Sequence, residues 1–269
     1  METNYVIINS KFRNEGSKST SDFTFSLGET LEISDVAIKS VSIVNAEYNV
    51  KAGHNILIVN NGVVDVTMTI PVGQYTISQL MTEVETQLTT IYGGTNTLTL
   101  GTITNKISFA TTTALRYGTD MTTSPIGYLL GLGDERNAFS TTYYPEIASS
   151  AFVAPFLPNL QGANNYHIVS NTIGQGQGSL LKNNDKRPII LTIPVTADFG
   201  DVINYEVNEI NLNKRHFSRP TNIQEIDIKV IDDDNELVDL GGTNIEIVIQ
   251  ILRVPMLPYS VNGDKVRMH

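Results

Sequence analysis

Three acidic side chains alternate along a short polar stretch of the second half of the sequence. Asp232, Asp234 and Glu236 have the spacing of the first ligands of an EF-hand calcium loop. Such a loop also needs glycine at its sixth position and glutamate at its twelfth, where this chain has Leu237 and Thr243. We therefore interpret the stretch as a solvated turn between strands and keep a weak surface calcium site as the alternative.

Histidine and serine residues do not form a recognisable catalytic motif. No histidine has the HExxH spacing of a zinc hydrolase, and no GxSxG nucleophile elbow is present. The four histidines lie far apart, at His54, His167, His216 and His269. The sequence therefore predicts no catalytic, cofactor-binding or metal-binding residue. A nucleophilic triad assembled from distant strands stays an alternative.

A glycine-rich segment, 174–178, is superficially similar to a loop that cradles a phosphate group. A Walker loop ends in Gly-Lys-Ser/Thr and leads into a helix, and a dinucleotide fingerprint lies between a strand and a helix. Neither context is present, because the following residues, 179–185, have no helical pattern. The segment is interpreted as a flexible loop between strands.

A basic cluster is formed by Lys214, Arg215, His216 and Arg219, with Phe217 among them. The cluster could face an acidic neighbouring subunit or a phosphate group. Charge complementarity between copies would then set their register and orientation more than their affinity. An exposed loop is the simpler interpretation.

Composition bounds the class of protein. The 269 residues carry a net charge of −10 and include no cysteine and no tryptophan. A disulfide framework, thiolate metal sites and cysteine nucleophiles are therefore excluded, and a negative surface argues against nucleic acid as the main partner. We also expect no signal peptide and no membrane span, because no apolar run approaches the roughly 20 residues that a span needs.

Alternation of apolar and polar residues at period two is the dominant pattern of the chain. It predicts strands with one core-facing and one solvent-facing side. The alternating segments are 23–27, 64–70, 189–195, 226–230 and 245–251. In the long segment 33–43 the alternation shifts phase, which predicts a β-bulge at Lys39-Ser40. The chain is therefore predicted to be all-β.

One amphipathic helix interrupts the strands, at about residues 76–92. Thr76 and Gln79 fit a capping box, apolar residues follow at i, i+3/i+4 spacing, and Gly93-Gly94 ends the pattern. A hairpin of 97–100 with 106–109 comes next. We predict that residues 62–135 form an inserted strand–helix–hairpin subdomain, and that 136–165 is a long connection without sustained strands.

The remaining residues, 1–61 and 136–269, are predicted to form a β-sandwich. Strand starts lie about 15 to 25 residues apart after residue 166, which suits the long crossovers of a Greek key or jelly roll. The predicted fold class is thus an all-β jelly-roll sandwich with a small inserted α+β subdomain.

Several segments resemble one family of viral proteins. They are the N-terminal block (5–13, 22–27 and 36–50), the phrase Ile-Pro-Val-Gly-Gln-Tyr-Thr at 70–76, Leu-Leu-Gly-Leu at 129–132, and the closing segments 226–230, 237–241 and 245–249. Together they resemble the penton, or minor capsid, proteins of virophages, polinton-like viruses and related eukaryotic double-stranded DNA viruses. The similarity lies in patterns over most of the chain, not in an invariant chemical motif.

The resemblance implies a structural protein of the virion, assembled in the interior of the host cell. It implies a single jelly roll, with five copies around each icosahedral vertex as a homopentamer that contacts the viral major capsid protein. No enzyme activity and no cofactor are implied. The alternatives are a jelly-roll spike or fibre-type module that binds a receptor or a glycan, and the hydrolase with a triad across strands.

Overall fold

The computed structural model describes residues 2–120, 122–133, 142–174, 179–180, 186–207 and 214–253. The chain forms two compact units. The first unit comprises Met1–Ala46 and Ala163–His269, and the inserted unit comprises Glu47–Gly162. No helix of the described part is long and apolar enough to span a membrane.

The strands follow one another along the chain as β1 (Glu2–Asn9), β2 (Asp22–Val44), β3 (Ile56–Asn60), β4 (Asp65–Thr69), β5 (Asn96–Leu100), β6 (Ile107–Gly118), β7 (Tyr143–Val153), β8 (Asn165–Val169), β9 (Ser179–Leu180), β10 (Lys186–Arg187), β11 (Ile189–Pro194), β12 (Val202–Glu206), β13 (Arg215–Ile231) and β14 (Glu246–Arg253). The helices are α1 (Ile77–Tyr92) and α2 (Pro125–Leu129), and a 3-10 turn covers Ser10–Phe12.

Strand β2 is shared by the two sheets of the first unit. Its residues 33–42 pair with β14, which pairs with β1, and its residues 40–44 pair with β12. Its residues 22–36 pair with β13, which pairs with β8, and β8 pairs with β11. The orders β1-β14-β2-β12 and β2-β13-β8-β11 are those of the two four-stranded sheets of a jelly roll, and every pairing is antiparallel. The predicted fold class is confirmed.

The alternating side chains of both sheets form one hydrophobic core. In β14 and the residue before it, Ile245, Ile247, Ile249 and Ile251 are completely buried. The same cluster includes Ile226 and Ile228 of β13 and Ile168 of β8. Burial of such side chains is the main force that holds two sheets face to face.

The predicted bulge in β2 is present. Val248 lies opposite Ser40 and Ile249 lies opposite Ile38, so Lys39 is the extra residue. This insertion restores the inward direction of Val41 and Ile43 after Val36 and Ile38, and all four side chains are buried.

The inserted unit has its own sheet, in the order β4-β3-β6-β5, with β7 paired to β6. Helix α1 begins after Thr76, whose side chain accepts a hydrogen bond from the Gln79 backbone N–H in the predicted capping box. The buried side of α1 contributes Leu80, Val84 and Leu88 to a second core. The predicted helix and the following hairpin, in which Leu98 lies opposite Phe109, are confirmed.

Three details differ from the sequence-based expectations. Val64 was expected in a strand but lies in the turn before β4, where the Asn61 side chain accepts its N–H. The stretch 136–165 was expected to lack sustained strands, but it contains β7. Because β7 is rich in Ala and Ser and packs mainly through Phe152, it has no period-two apolar pattern. The inserted unit extends beyond 62–135 at both ends, since β3 and β7 pair within its sheet.

Candidate assembly surface

Strand β1 is an edge of the first sheet, and its outer side is open among the described residues. The Ser10 backbone N–H donates to the Ile245 carbonyl oxygen across the ladder with β14. In an antiparallel ladder every second residue points its backbone groups at the partner strand. The N–H and C=O groups of Thr3, Tyr5 and Ile7 therefore point away from β14, toward the open side.

The side chains of β1 divide between two surfaces. Ile8 is completely buried in the core, and Val6 packs against it from a partly buried position. Tyr5 and Ile7 are 56% and 59% exposed on the other face of the strand. Residues 5–8 are all apolar, whereas a strand with one buried face needs an apolar residue only at every second position. This run therefore indicates the second apolar face.

Strand β12 is the opposite edge of the same sheet. The Asn45 N–H donates to the Asp201 carbonyl oxygen, and the Val207 N–H donates to the Lys39 carbonyl oxygen. By the same alternation, the backbone groups of three residues face the open side of β12: Val202, Asn204 and Glu206. Their side chains are all exposed, whereas Ile203 is buried in the core. The sheet thus has open edges of the same construction on both sides, as far as the described residues define them.

The two edges differ in charge. At the end of β1, the 3-10 turn and the residue after it carry the exposed cations Lys11 and Arg13, with the exposed anions Glu15 and Glu246 at the same end. Before and within β12 lie the exposed anions Asp198, Asp201 and Glu206. Opposite charges on the two edges favour the approach of one edge to the other edge of a second copy over the approach of two like edges.

A groove of about 490 Å³ runs along β1 toward the first half of β2. Its lining includes Tyr5, Phe25 and Leu27, and at one end the Arg253 Nη2 atom lies 2.5 Å from the Glu29 Oε1 atom. The groove adds apolar surface beside the open side of β1. Its described lining contains no histidine and no pair of carboxylates that would suggest catalysis.

The acidic stretch 232–236 forms a closed turn. Asp232 is buried, and its Oδ1 atom accepts the backbone N–H groups of Asp234 and Glu236 at 2.9 Å each. Within the described residues no three side chains of metal-ligating type converge. The interpretation as a turn is confirmed, and the calcium alternative gains no support from this geometry.

One of the four histidines contacts a hydroxyl and a carboxylate from other elements. The His167 Nδ1 atom is 2.9 Å from Thr192 Oγ1, and its Nε2 atom is 3.3 Å from Asp233 Oδ1. Because a carboxylate only accepts, Nε2 donates to Asp233 and the Thr192 hydroxyl donates to Nδ1. The three side chains have triad-like connectivity, which no sequence motif indicates.

Asp233 is also a structural anchor. Its oxygens accept the backbone N–H groups of Asn164 and Asn165 and the Asn165 side-chain amide, at 2.9 to 3.0 Å. Burial raises the pKa of Asp233, but these hydrogen bonds and that of His167 outweigh burial and hold the pKa below its ordinary value. The carboxylate thus holds the start of β8 against the turn that follows β13.

The other sequence candidates do not converge on a site. His216 of the basic cluster contacts Asp35 of β2, and Arg215 donates to the Ile189 carbonyl oxygen, so part of the cluster belongs to the ladder of β13. His54 belongs to the inserted unit. His269 and residues 175–178 of the glycine-rich segment lie outside the described residues.

Comparison with known proteins returns a structural likeness without a sequence match. No protein-family model and no curated protein sequence matches the chain. Among solved structures, the chain is similar to the crystal structure of the selenomethionine-labelled mavirus penton protein, with 11% identity and a TM-score of 0.49. The alignment covers 94% of this chain and 100% of that one.

Proposed function

We propose that the protein is a structural component of a viral capsid, the penton that forms homopentamers at icosahedral vertices. Its partners are then its own copies and the surrounding major capsid protein, and its place is the virion, which assembles inside the host cell. No catalytic step and no cofactor belong to this function. The protein acts by assembly, in which neighbouring copies bury part of their surface against one another.

The observation that carries the proposal is the pair of open edges on the first jelly-roll sheet. A ring of identical copies needs a heterologous contact, in which one surface meets a different surface of the next copy. In the described part of the chain, the edges β1 and β12 are two such surfaces, with outward-pointing backbone groups on both and opposite charge at one end. An open edge of this kind is a template for pairing with another chain unless it is covered.

The sequence pattern supports the same proposal independently. The segments that resemble penton proteins include 5–13, which covers most of β1 and the turn after it, and 245–249, which covers the first half of β14. The residues that carry the resemblance thus include the proposed assembly edge itself.

Light scattering after gel filtration tests the proposal through the mass of the purified full chain. A pentamer has a mass of five times 29.5 kDa, and we expect that species, with a fraction that grows as protein concentration rises. A stable dimer or trimer would contradict a vertex ring. A monomer at every accessible concentration would favour the receptor- or glycan-binding module, which a glycan array then tests directly.

A further inference from the structure

We infer that neighbouring copies join by continuing the first sheet, with the open side of β1 in one copy paired to the open side of β12 in the next. The inference deepens the proposed function and rests on it, because it names the surface through which the ring closes. The occupant of each edge is a second copy of this chain.

Strand direction permits this pairing without turning the copy over. Across β1-β14-β2-β12 every neighbour is antiparallel, so β1 and β12 run in opposite directions within one copy. A second copy placed beside the first in the same orientation therefore presents β12 antiparallel to β1. Each pairing covers β1 of one copy and β12 of the next and leaves one edge of each copy open. The pairing therefore repeats until the ring closes.

Alternate residues of each strand point their N–H and C=O groups outward: Thr3, Tyr5, Ile7 and Asn9 on β1, and Val202, Asn204 and Glu206 on β12. Two such rows form hydrogen-bonded pairs, in which opposite Cα atoms lie about 5.5 Å apart. The pairing would satisfy the groups that each edge leaves open.

Side chains select one register. With Ile7 opposite Val202, two exposed aliphatic side chains meet on the outer face, and Tyr5 lies opposite Asn204. In the same register, Lys11 of the turn after β1 lies at the level of Asp198 of the neighbouring copy. The apolar contact between Ile7 and Val202 and the opposite charges at the adjacent end of the two strands therefore come from a single alignment.

Cysteine cross-linking tests this contact cleanly, because the chain has no cysteine of its own. We would prepare Ile7→Cys and Val202→Cys as separate variants, mix them, and add a short bismaleimide. We expect a covalent dimer in the mixture and not in either variant alone. The double variant Ile7→Cys/Val202→Cys should give a ladder of covalent species up to the pentamer. Ile103→Cys replaces Ile7→Cys in the control, since Ile103 is 92% exposed in a hairpin of a different sheet.

The outcomes separate the inference from the proposed function. A pentameric mass without the mixed cross-link would overturn the pairing of β1 with β12 and leave the penton proposal standing. A cross-link in Ile7→Cys alone would show that two β1 edges meet, which gives a closed dimer and overturns both. A non-pentameric mass without any cross-link also overturns both.

A proline variant gives a second, independent test. Because the N–H of Tyr5 points to the open side, Tyr5→Pro removes a donor from the proposed contact and none from the ladder with β14. We expect the circular dichroism spectrum to be unchanged and the mass to fall from pentamer to monomer. Tyr5→Val, which keeps the N–H, should stay assembled. Full assembly of a folded Tyr5→Pro variant would contradict the inference.

Discussion

The Oδ1 atom of Asp227 accepts two hydrogen bonds from Thr172, one from the backbone N–H at 2.7 Å and one from the hydroxyl at 2.6 Å. The same oxygen accepts the Ser170 hydroxyl, and Oδ2 accepts the backbone N–H and the side-chain amide of Asn171. One carboxylate of β13 therefore organises the turn that follows β8. This contact, like that of Asp233, ties neighbouring strands of the second sheet together at a loop.

Replacement of Asp227 by asparagine should destabilise the first unit. The new side chain would keep one acceptor oxygen, but its NH₂ group would face the donors of Asn171, so that at least one N–H of the turn loses its partner. We expect the free energy of unfolding to fall by about 2 kcal/mol, the range of hydrogen bonds to charged groups. Urea unfolding measures this, with the exposed Glu32→Gln as the matched control. An unchanged midpoint in Asp227→Asn would contradict this role of the carboxylate.

Acid should weaken the protein through Asp227 and Asp233. Burial raises the pKa of Asp227, but hydrogen bonds from Thr172, Asn171 and Ser170 outweigh burial, so the folded pKa lies below the unfolded value of about 3.9. The stabilisation is therefore fully present above that unfolded value and is lost as pH falls through the folded pKa. Melting temperatures between pH 7 and pH 2 should show a drop below about pH 4. The drop should be smaller in Asp227→Asn; an equal drop would show that other carboxylates cause it.

Removal of the buried Tyr117 hydroxyl should not lower the free energy of unfolding. The Tyr117 ring is completely buried between Phe109 and Phe152, and its hydroxyl has no hydrogen-bond partner in the described structure. Burial accordingly raises the pKa of Tyr117. We expect Tyr117→Phe to leave stability unchanged or to raise it by up to about 1 kcal/mol, because an unsatisfied polar group is lost.

The equally buried Tyr166 is the matched control for Tyr117. Its hydroxyl donates to the Asn45 Oδ1 atom at 2.9 Å. We expect Tyr166→Phe to cost about 1 to 1.5 kcal/mol in thermal or urea unfolding. If Tyr117→Phe lowers the free energy of unfolding as much as Tyr166→Phe does, the Tyr117 hydroxyl has a hydrogen-bond partner.

Calcium should not stabilise the protein. The Asp232 carboxylate is buried and already accepts two backbone N–H groups of its own turn, and the Asp233 carboxylate accepts donors near β8. We expect the same melting temperature in millimolar calcium chloride and in EDTA. A rise of several degrees with calcium, absent in Asp234→Asn, would establish the weak site as real.

The triad-like group should be structural and not catalytic. The proposed function assigns no chemistry to Thr192, His167 and Asp233, and Asp233 uses its acceptors to hold the chain at the start of β8. We expect hydrolysis of a panel of nitrophenyl esters at the buffer rate by the parent protein and by Thr192→Val. Turnover by the parent that disappears in both Thr192→Val and His167→Gln would instead support the hydrolase alternative.

Local patterns in the sequence determine the type of most elements and the side of each strand that is buried. The run Ile245, Ile247, Ile249 and Ile251 predicts one buried face because successive side chains of a strand point in opposite directions. The capping box at Thr76 and the phase shift at Lys39 likewise depend only on neighbouring residues, and both are present in the structure. Catalytic motifs also depend on the local spacing of residues, and the sequence contains none that we recognise.

The order of strands and the two open edges are decided by the tertiary structure alone. Asn9 pairs with Glu246 across most of the chain, and Asp227 reaches Thr172 from a different strand. Strand pairing uses backbone groups that every residue except proline carries in full, so the identity of a side chain says little about its partner strand. Only the closure of both sheets around one core determines which strands lie at the edges and which backbone groups there stay available for another copy.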